Sequence, residues 1–149
     1  MSLVNEVGGG LDGLSQLRAL IASGRKPGIL VALDFEFVEV EAGKAVFAAT
    51  PGEHAYNPMG AVHGGYAATL LDSACGCAVH SCLTASQAYT TLELKVAYHK
   101  PITKDTGLLR AEGRVLSFGR RAAFAEGKLS DASGKLYASA TSTLLVFDR

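Results

Sequence analysis

The sequence predicts a single α+β domain in which an antiparallel sheet packs around one long helix. Three observations support this fold class. The segment from Gly64 to Leu83 is apolar on nearly every side at helical spacing. The segments before and after it alternate apolar and polar residues with a period of two, which is typical of half-buried strands. Strands with one polar face suit antiparallel rather than parallel pairing.

At 149 residues the chain is long enough to bury one hydrophobic core, and it contains no internal repeat or domain linker. We therefore assign residues 1–149 to one domain, with residues 1–27 as an N-terminal helical extension. Asp12 can cap a helix in that extension, and Gly24 can end it. Between them, four apolar residues recur at helical spacing: Leu14, Leu17, Leu20 and Ile21.

Six strands are predicted around the long helix. The alternation from Gly28 onward predicts the first strand, and the segment 41–44 forms a turn into a second strand over residues 45–50. The next four follow the helix near residues 92–99, 109–115, 122–130 and 136–147. Asp131-Ala132-Ser133-Gly134 has the composition of a hairpin turn between the last two strands.

Charge and apolar runs exclude several classes of function. The 14 basic and 14 acidic side chains leave no net charge, which argues against broad electrostatic capture of nucleic acid but not against a small basic patch. No run of 18 or more apolar residues occurs outside the long helix, which itself carries Asp72, so no transmembrane span is predicted. The N-terminus lacks the basic start and apolar core of a secretion signal. Three closely spaced cysteines on one helix, Cys75, Cys77 and Cys82, favour a reduced, cytoplasmic protein without a disulfide framework.

The long helix contains one carboxylate. Residues 57–81 include Asp72 but no other acid, no Lys and no Arg. An unpaired carboxylate in an apolar environment is costly, and one that is kept there usually has a raised pKa and a role as base or nucleophile. The alternative is that Asp72 simply bonds a backbone group or a surface side chain.

Two glycines at the helix start extend this interpretation. Gly64 and Gly65 allow a ligand to approach the backbone closely, and the free amide groups of a helix N-terminus attract developing negative charge. Asp72 follows about two turns later, so the segment predicts an oxyanion site near a general base. Such a combination is typical of acyl transfer.

The same residues resemble a known family. Asn57-Pro58-Met59-Gly60-Ala61-Val62-His63-Gly64-Gly65, followed by Leu71-Asp72, is similar to the hotdog-fold acyl-CoA thioesterases of the phenylacetate-pathway type. The resemblance covers roughly residues 30–147. It implies a curled antiparallel sheet wrapped around the central helix. It also implies homodimers that pair edge to edge, often two to a homotetramer, with active sites at the dimer interface.

The resemblance also implies roles for individual residues. The Gly64 amide would polarise the thioester carbonyl with help from the Asn57 side chain, and Gly65 would complete the amide group that receives the substrate. Asp72 of the partner subunit would activate water or attack the carbonyl itself. His63 would orient the loop or the Asn57 amide, and Thr91 would help to position the water.

A coenzyme A substrate also needs partners for its phosphates. The turn Gly119-Arg120-Arg121 presents two guanidinium groups suited to phosphate, and in relatives the matching turn lies near the nucleotide. Solvated hairpin arginines are the alternative interpretation. Lys100, beside Pro101 at a strand end, is a weaker candidate for the same role.

No metal is predicted, because the sequence offers no ligand set for one and the proposed chemistry needs none. No cofactor is predicted either, since the coenzyme A thioester is itself the substrate. Cys75 and Cys77 point about 200° apart on a helix, so they cannot chelate a metal and are better interpreted as small core residues. The hydratases of this fold place Asp and His five positions apart, whereas Cys77 stands five after Asp72. A non-catalytic acyl-CoA sensor and a thioesterase acting on acyl carrier protein remain as alternatives. The acyl specificity stays open, because it depends on side chains such as Met59, Tyr66 and Tyr89.

Overall fold

A computed structural model describes residues 2–149. Within them the chain forms four α-helices, two short 3-10 helices and six strands. The α-helices are α1 Leu3–Gly8, α2 Gly13–Ser23, α3 Gly28–Leu33 and α4 Gly64–His80. The strands are β1 Glu36–Glu41, β2 Lys44–Ala49, β3 Gln87–Tyr98, β4 Leu109–Phe118, β5 Ala122–Asp131 and β6 Leu136–Asp148. The 3-10 helices are Glu53–Ala55 and Lys104–Thr106.

All six strands form one antiparallel sheet in the order β1-β2-β4-β5-β6-β3. Helix α4 packs against its concave face, chiefly against β2, β4 and β5. The side chains of the helix that face the sheet are buried: Ala67, Leu70, Leu71, Ala74, Cys75, Ala78 and Val79. The predicted curled antiparallel sheet around a long central helix is therefore confirmed.

Two glycines let helix α4 lie unusually close to the sheet. Gly113 on β4 and Gly127 on β5 are direct cross-strand partners beneath the helix. A Cβ atom at Gly113 would lie 2.3 Å from the carbonyl carbon and oxygen of Ala74, closer than non-bonded atoms can approach. The helix backbone thus rests on the sheet backbone at this point, with no side chain between them.

The N-terminal region agrees with the prediction in α2 and differs from it after Pro27. Asp12 caps α2 by accepting a hydrogen bond of 2.9 Å from the Ser15 amide, and Gly24 ends the helix in a left-handed conformation. The strand expected from Gly28 onward is wrong at its start, because residues 28–33 form helix α3. A short apolar run does not distinguish helix from strand by period alone. Asp34, with φ of 56°, ends α3, and the sheet begins only at β1.

Helix α2 covers the C-terminal end of α4. The Gln16 side chain, which is 2% exposed, pairs with the buried His80 imidazole through Oε1 and Nε2 at 2.9 Å. Gly13 packs directly on the His80 carbonyl, because a Cβ atom there would lie 1.8 Å from the oxygen. Part of the apolar surface of α4 is therefore covered by the chain's own N-terminal helix.

The buried His80 makes the stability of the fold sensitive to acid. Burial, and secondarily the positive charge of Arg149, lowers the pKa of His80 from 6.5 to about 4. As pH falls from about 6.5 to 4, the unfolded chain takes up a proton that the folded chain does not, so stability is lost over that window. We expect a loss of about 3 kcal/mol in the free energy of unfolding. Urea unfolding at successive pH values measures it.

His80→Gln should remove much of this acid dependence, since glutamine can still bond Gln16 and does not titrate. The matched control is His54→Gln, which replaces an exposed imidazole and should leave the pH profile unchanged. An unchanged acid limb in the His80→Gln variant would show that another group controls it.

Candidate active site

The loop before helix α4 folds around the side chain of Asn57. Its Oδ1 accepts hydrogen bonds from the amides of Met59, at 2.9 Å, and Ala61, at 3.2 Å. The side-chain amide Nδ2 has no hydrogen-bond partner within residues 2–149. Asn57 therefore keeps its acceptor occupied by the loop and its donor available for a ligand.

His63 caps helix α4. Its Nδ1 accepts a hydrogen bond of 2.9 Å from the Gly65 amide, and its carbonyl accepts one of 3.0 Å from the Tyr66 amide. Because Nδ1 is an acceptor, the neutral imidazole carries its proton on Nε2. Among the described residues His63 contacts Gly65 rather than Asn57, so it orients the helix start rather than the Asn57 amide.

These contacts single out one amide at the helix start. The Gly65 amide is already bonded to His63, whereas the Gly64 amide has no acceptor in the part of the chain that the structure describes. Unpaired amides at a helix N-terminus carry a partial positive charge and bind anions. Of the two predicted glycines, Gly64 is the one with an available donor.

The helix start opens onto a cleft of about 330 Å³. Val62, His63 and Gly64 line one side, and the segment from Tyr98 to Ile102 lines the other. Lys100 contributes the one ammonium group among the residues that line this cleft. From the sequence, Lys100 is a weaker candidate for phosphate binding than the arginine pair. The structure shows that Lys100 lines the same cleft as Gly64.

Asp72 lies two helical turns further along α4, in contact with strand β3. The hydroxyl of Thr91 donates a hydrogen bond of 3.1 Å to Asp72 Oδ1. The other carboxylate oxygen, Oδ2, has no hydrogen-bond partner within residues 2–149. Both residues are half-buried, so the carboxylate is anchored at one oxygen and accessible at the other.

A β-bulge brings Thr91 to this position. Thr91 pairs with Leu144 and Glu93 pairs with Thr143, which leaves Leu92 as an extra residue on β3. The side chains of Tyr89 and Thr91 thus face α4 before the bulge, while Leu94, Val96 and Tyr98 do so after it. Leu92 itself is 60% exposed, whereas Leu94 packs against the core.

Gly64 and Asp72 of one chain are too far apart to contact the same carbonyl group. They are separated by eight residues of helix, or about 12 Å along its axis. A hydrogen bond to the oxygen and an attack on the carbon each need a distance near 3 Å. The two residues are therefore candidates for separate half-sites on the same helix.

The arginine turn lies at the other end of β3 from the Gly64 cleft. Arg120 and Arg121 line a separate cleft of about 380 Å³ together with Gln87 at the start of β3. Gly119 closes the turn with a hydrogen bond of 2.8 Å from its amide to the Ala122 carbonyl. Because β3 spans twelve residues, this cleft and the Tyr98 end are about 35 Å apart along the strand.

Other residues singled out in the sequence have clear places. Met59 is 87% exposed, whereas the Tyr66 ring is buried in the core against Phe35. Tyr89 packs over Gly76, one turn after Asp72. Burial raises the pKa of the Cys75 and Cys77 thiols to about 12, so both stay protonated.

Residues 2–149 contain neither a cluster of metal-binding side chains nor a membrane-spanning helix. No group of three or more His, Cys, Asp and Glu side chains is placed to hold a metal ion. None of the helices in this range has the length and apolar character needed to cross a membrane.

Comparison with known proteins decides the family. Residues 59–138, just over half of the chain, match the thioesterase superfamily. The chain belongs to that superfamily. The match includes the Gly64 cleft, Asp72 and Thr91, and the architecture described above is its hotdog fold.

Three similar proteins illustrate the relationship. The 1,4-dihydroxy-2-naphthoyl-CoA hydrolase of Listeria monocytogenes is 28% identical over 119 residues, which cover 80% of this chain and 95% of that protein. The smu.793 protein of Streptococcus mutans, solved with acetyl-CoA bound, has 26% identity and a TM-score of 0.70, covering 77% of this chain and 90% of that one. The PaaI protein of the Escherichia coli phenylacetic acid degradation operon has a TM-score of 0.75 at 20% identity, covering 85% and 88%. The last likeness is one of fold.

Proposed function

We propose that this thioesterase-superfamily protein hydrolyses acyl-CoA thioesters to a free acid and coenzyme A. The observation that carries the proposal is the unpaired Gly64 amide at the start of a 17-residue helix, in a cleft with Lys100. A thioester carbonyl bound there becomes more electrophilic as negative charge develops on its oxygen. The free side-chain amide of Asn57, in the adjacent loop, is a second donor to the same oxygen.

Asp72 is the proposed general base. In our proposal its carboxylate removes a proton from water as the water oxygen bonds to the thioester carbon. The resulting tetrahedral oxyanion is stabilised by the Gly64 amide. The carbon–sulfur bond then breaks, and the coenzyme A thiolate takes the proton back from Asp72. Thr91, bonded to Oδ1, positions the carboxylate and leaves Oδ2 for the water.

Two subunits would supply the two halves. Strand β3 is an edge of the sheet and is long, and such edges are surfaces on which a further strand can pair. If two β3 strands pair antiparallel, the Tyr98 end of one lies beside the Gln87 end of the other. That arrangement supports a composite site with Gly64 from one subunit and Asp72 from its partner, in a homodimer or homotetramer.

The antiparallel pairing of two β3 strands would also bring candidate phosphate-binding groups close to the Gly64 cleft. The cleft of Arg120 and Arg121 is adjacent to Gln87, so in an antiparallel dimer it would approach the Gly64 half-site of the other subunit. We propose that these guanidinium groups, together with Lys100 of the Gly64 cleft, bind the phosphates of coenzyme A. The smu.793 relative, solved with acetyl-CoA, supports a coenzyme A thioester as ligand.

Release of free thiol from a panel of substrates tests the proposal. The panel contains short-chain, medium-chain and aromatic acyl-CoAs, the same acyl groups on pantetheine, and an acyl carrier protein thioester. We expect hydrolysis of one or more acyl-CoAs, with a higher KM for the pantetheine thioesters, which lack the phosphates. Faster hydrolysis of the carrier-protein thioester would reassign the substrate. Tight acyl-CoA binding without hydrolysis of any thioester would favour a sensor.

A further inference from the structure

Tyr98 contacts the backbone of Gly64 at the end of strand β3. Its hydroxyl donates a hydrogen bond of 2.8 Å to the Gly64 carbonyl oxygen. Its ring lies against the Gly64 Cα, because a Cβ atom there would come within 3.0 Å of the ring carbon Cζ and the hydroxyl oxygen. Tyr98 also lines the 330 Å³ cleft into which the Gly64 amide opens.

The backbone on the other side of Gly64 is fixed by the loop. The His63 amide donates to the Ala55 carbonyl at 2.7 Å, and the Val62 amide donates to the Ile102 carbonyl at 2.9 Å. The peptide that follows Gly64 has its carbonyl bonded to Tyr98 and its amide bonded to His63. Within residues 2–149, Tyr98 supplies the one side-chain hydrogen bond made to Gly64 itself.

We infer that Tyr98 is a positioning residue for the Gly64 amide, an inference that rests on the proposed function. An oxyanion donor is effective only when it is aimed at the oxygen before charge develops. Without the hydroxyl, the Gly64–Gly65 peptide loses the one side-chain hydrogen bond to its carbonyl, and the preceding peptide can tilt with it. Because the donor interaction strengthens in the transition state, such a tilt lowers kcat more than it raises KM.

A purely structural role for the hydroxyl leads to a different result. Tyr98 is 55% exposed and lies at the end of an edge strand, so loss of its hydroxyl should change overall stability little. If the hydroxyl only contributes to packing at the strand end, its removal should change neither kcat nor the melting temperature. The positioning role changes kcat alone.

The test is Tyr98→Phe, which removes the hydroxyl and keeps the ring. We expect kcat for acyl-CoA hydrolysis to fall about tenfold, with KM changed less than about twofold and the melting temperature unchanged. The matched control is Tyr137→Phe. That hydroxyl also makes one hydrogen bond, at 3.3 Å to Asp131 in the last hairpin, and its removal should leave kcat unchanged.

A second readout does not depend on activity. NMR-detected hydrogen exchange of the Gly65 amide, which is bonded to His63, should be about tenfold faster in Tyr98→Phe than in the wild type. Unchanged exchange together with unchanged kcat would overturn the inference. If the wild type hydrolyses no thioester, the proposed function fails, and the exchange rates alone still decide whether Tyr98 positions Gly64.

Discussion

Replacing Asp72 with asparagine is expected to lower kcat for thioester hydrolysis by about 10²–10⁴-fold with little change in folding. Asparagine has nearly the same shape as aspartate and can still accept the hydrogen bond from Thr91, but it cannot take a proton from water. Among residues 64–80, which form helix α4, Asp72 is the one carboxylate. No neighbouring acid on that helix can replace it.

The measurement is kcat from free-thiol release, with circular dichroism to confirm the fold. Asp105→Asn is the matched control, because it removes an exposed carboxylate on the short 3-10 helix far along the chain. Single turnover in ¹⁸O-water separates the two roles of Asp72. A base sends the label directly into the acid product. A nucleophile forms an acyl-aspartyl anhydride, and hydrolysis of that anhydride at the aspartyl carbon leaves the label in the aspartate. Wild-type kcat in the Asp72→Asn variant would exclude both roles.

Gly113→Ala is expected to destabilise the fold strongly, because it adds a methyl group between helix α4 and the sheet. Its Cβ would lie 2.3 Å from Ala74 backbone atoms and 2.7 Å from the Cys75 amide nitrogen. Backbone cannot rotate away as a side chain can, so helix α4 must move off the sheet and open its core contacts. We expect a loss of more than about 4 kcal/mol, or no folded protein at all.

Thermal unfolding measures this effect, with a fall in Tm of about 10 °C or more. Two further variants with progressively weaker clashes should show progressively smaller falls in Tm. Gly127→Ala has its closest contacts with side-chain atoms, Leu71 Cδ2 at 3.0 Å and Cys75 Sγ at 3.2 Å, and meets backbone only at 3.8 Å, so it should cost less. Gly28→Ala meets nothing within 4 Å at the start of α3 and should be neutral or slightly stabilising. Equal Tm values for all three would contradict the close approach of helix and sheet.

The sequence predicted most of the architecture because its periodic patterns are strong. Helix α4 begins where His63-Gly64-Gly65 indicated, and four strands follow it as predicted, although β3 starts at Gln87 rather than near residue 92. The first predicted strand was wrong at its start because its periodic pattern is weak. Residues 28–33 are too few for period alone to distinguish helix from strand, and the tertiary contacts of Leu30 select the helix.

The candidate site was predicted unevenly. Gly64 and Asp72 could be singled out as candidates because their residue types are unusual at a helix start and in an apolar helix. Tyr98 could not, because an aromatic residue at a strand end has no pattern that distinguishes a hydrogen bond to a carbonyl from ordinary packing. The sequence likewise had no means of showing that His63 bonds the Gly65 amide and leaves the Gly64 amide available.

What the sequence determined by itself is the set of chemical groups and the helix that carries them. Helical and strand periods depend on neighbouring residues alone, so they can be read without the fold. Only the tertiary structure decided which side chains meet. One extra residue at Leu92 reverses the alternation of β3 and turns Thr91 toward Asp72, because a bulge is fixed by pairing with β6 and leaves no mark on local composition.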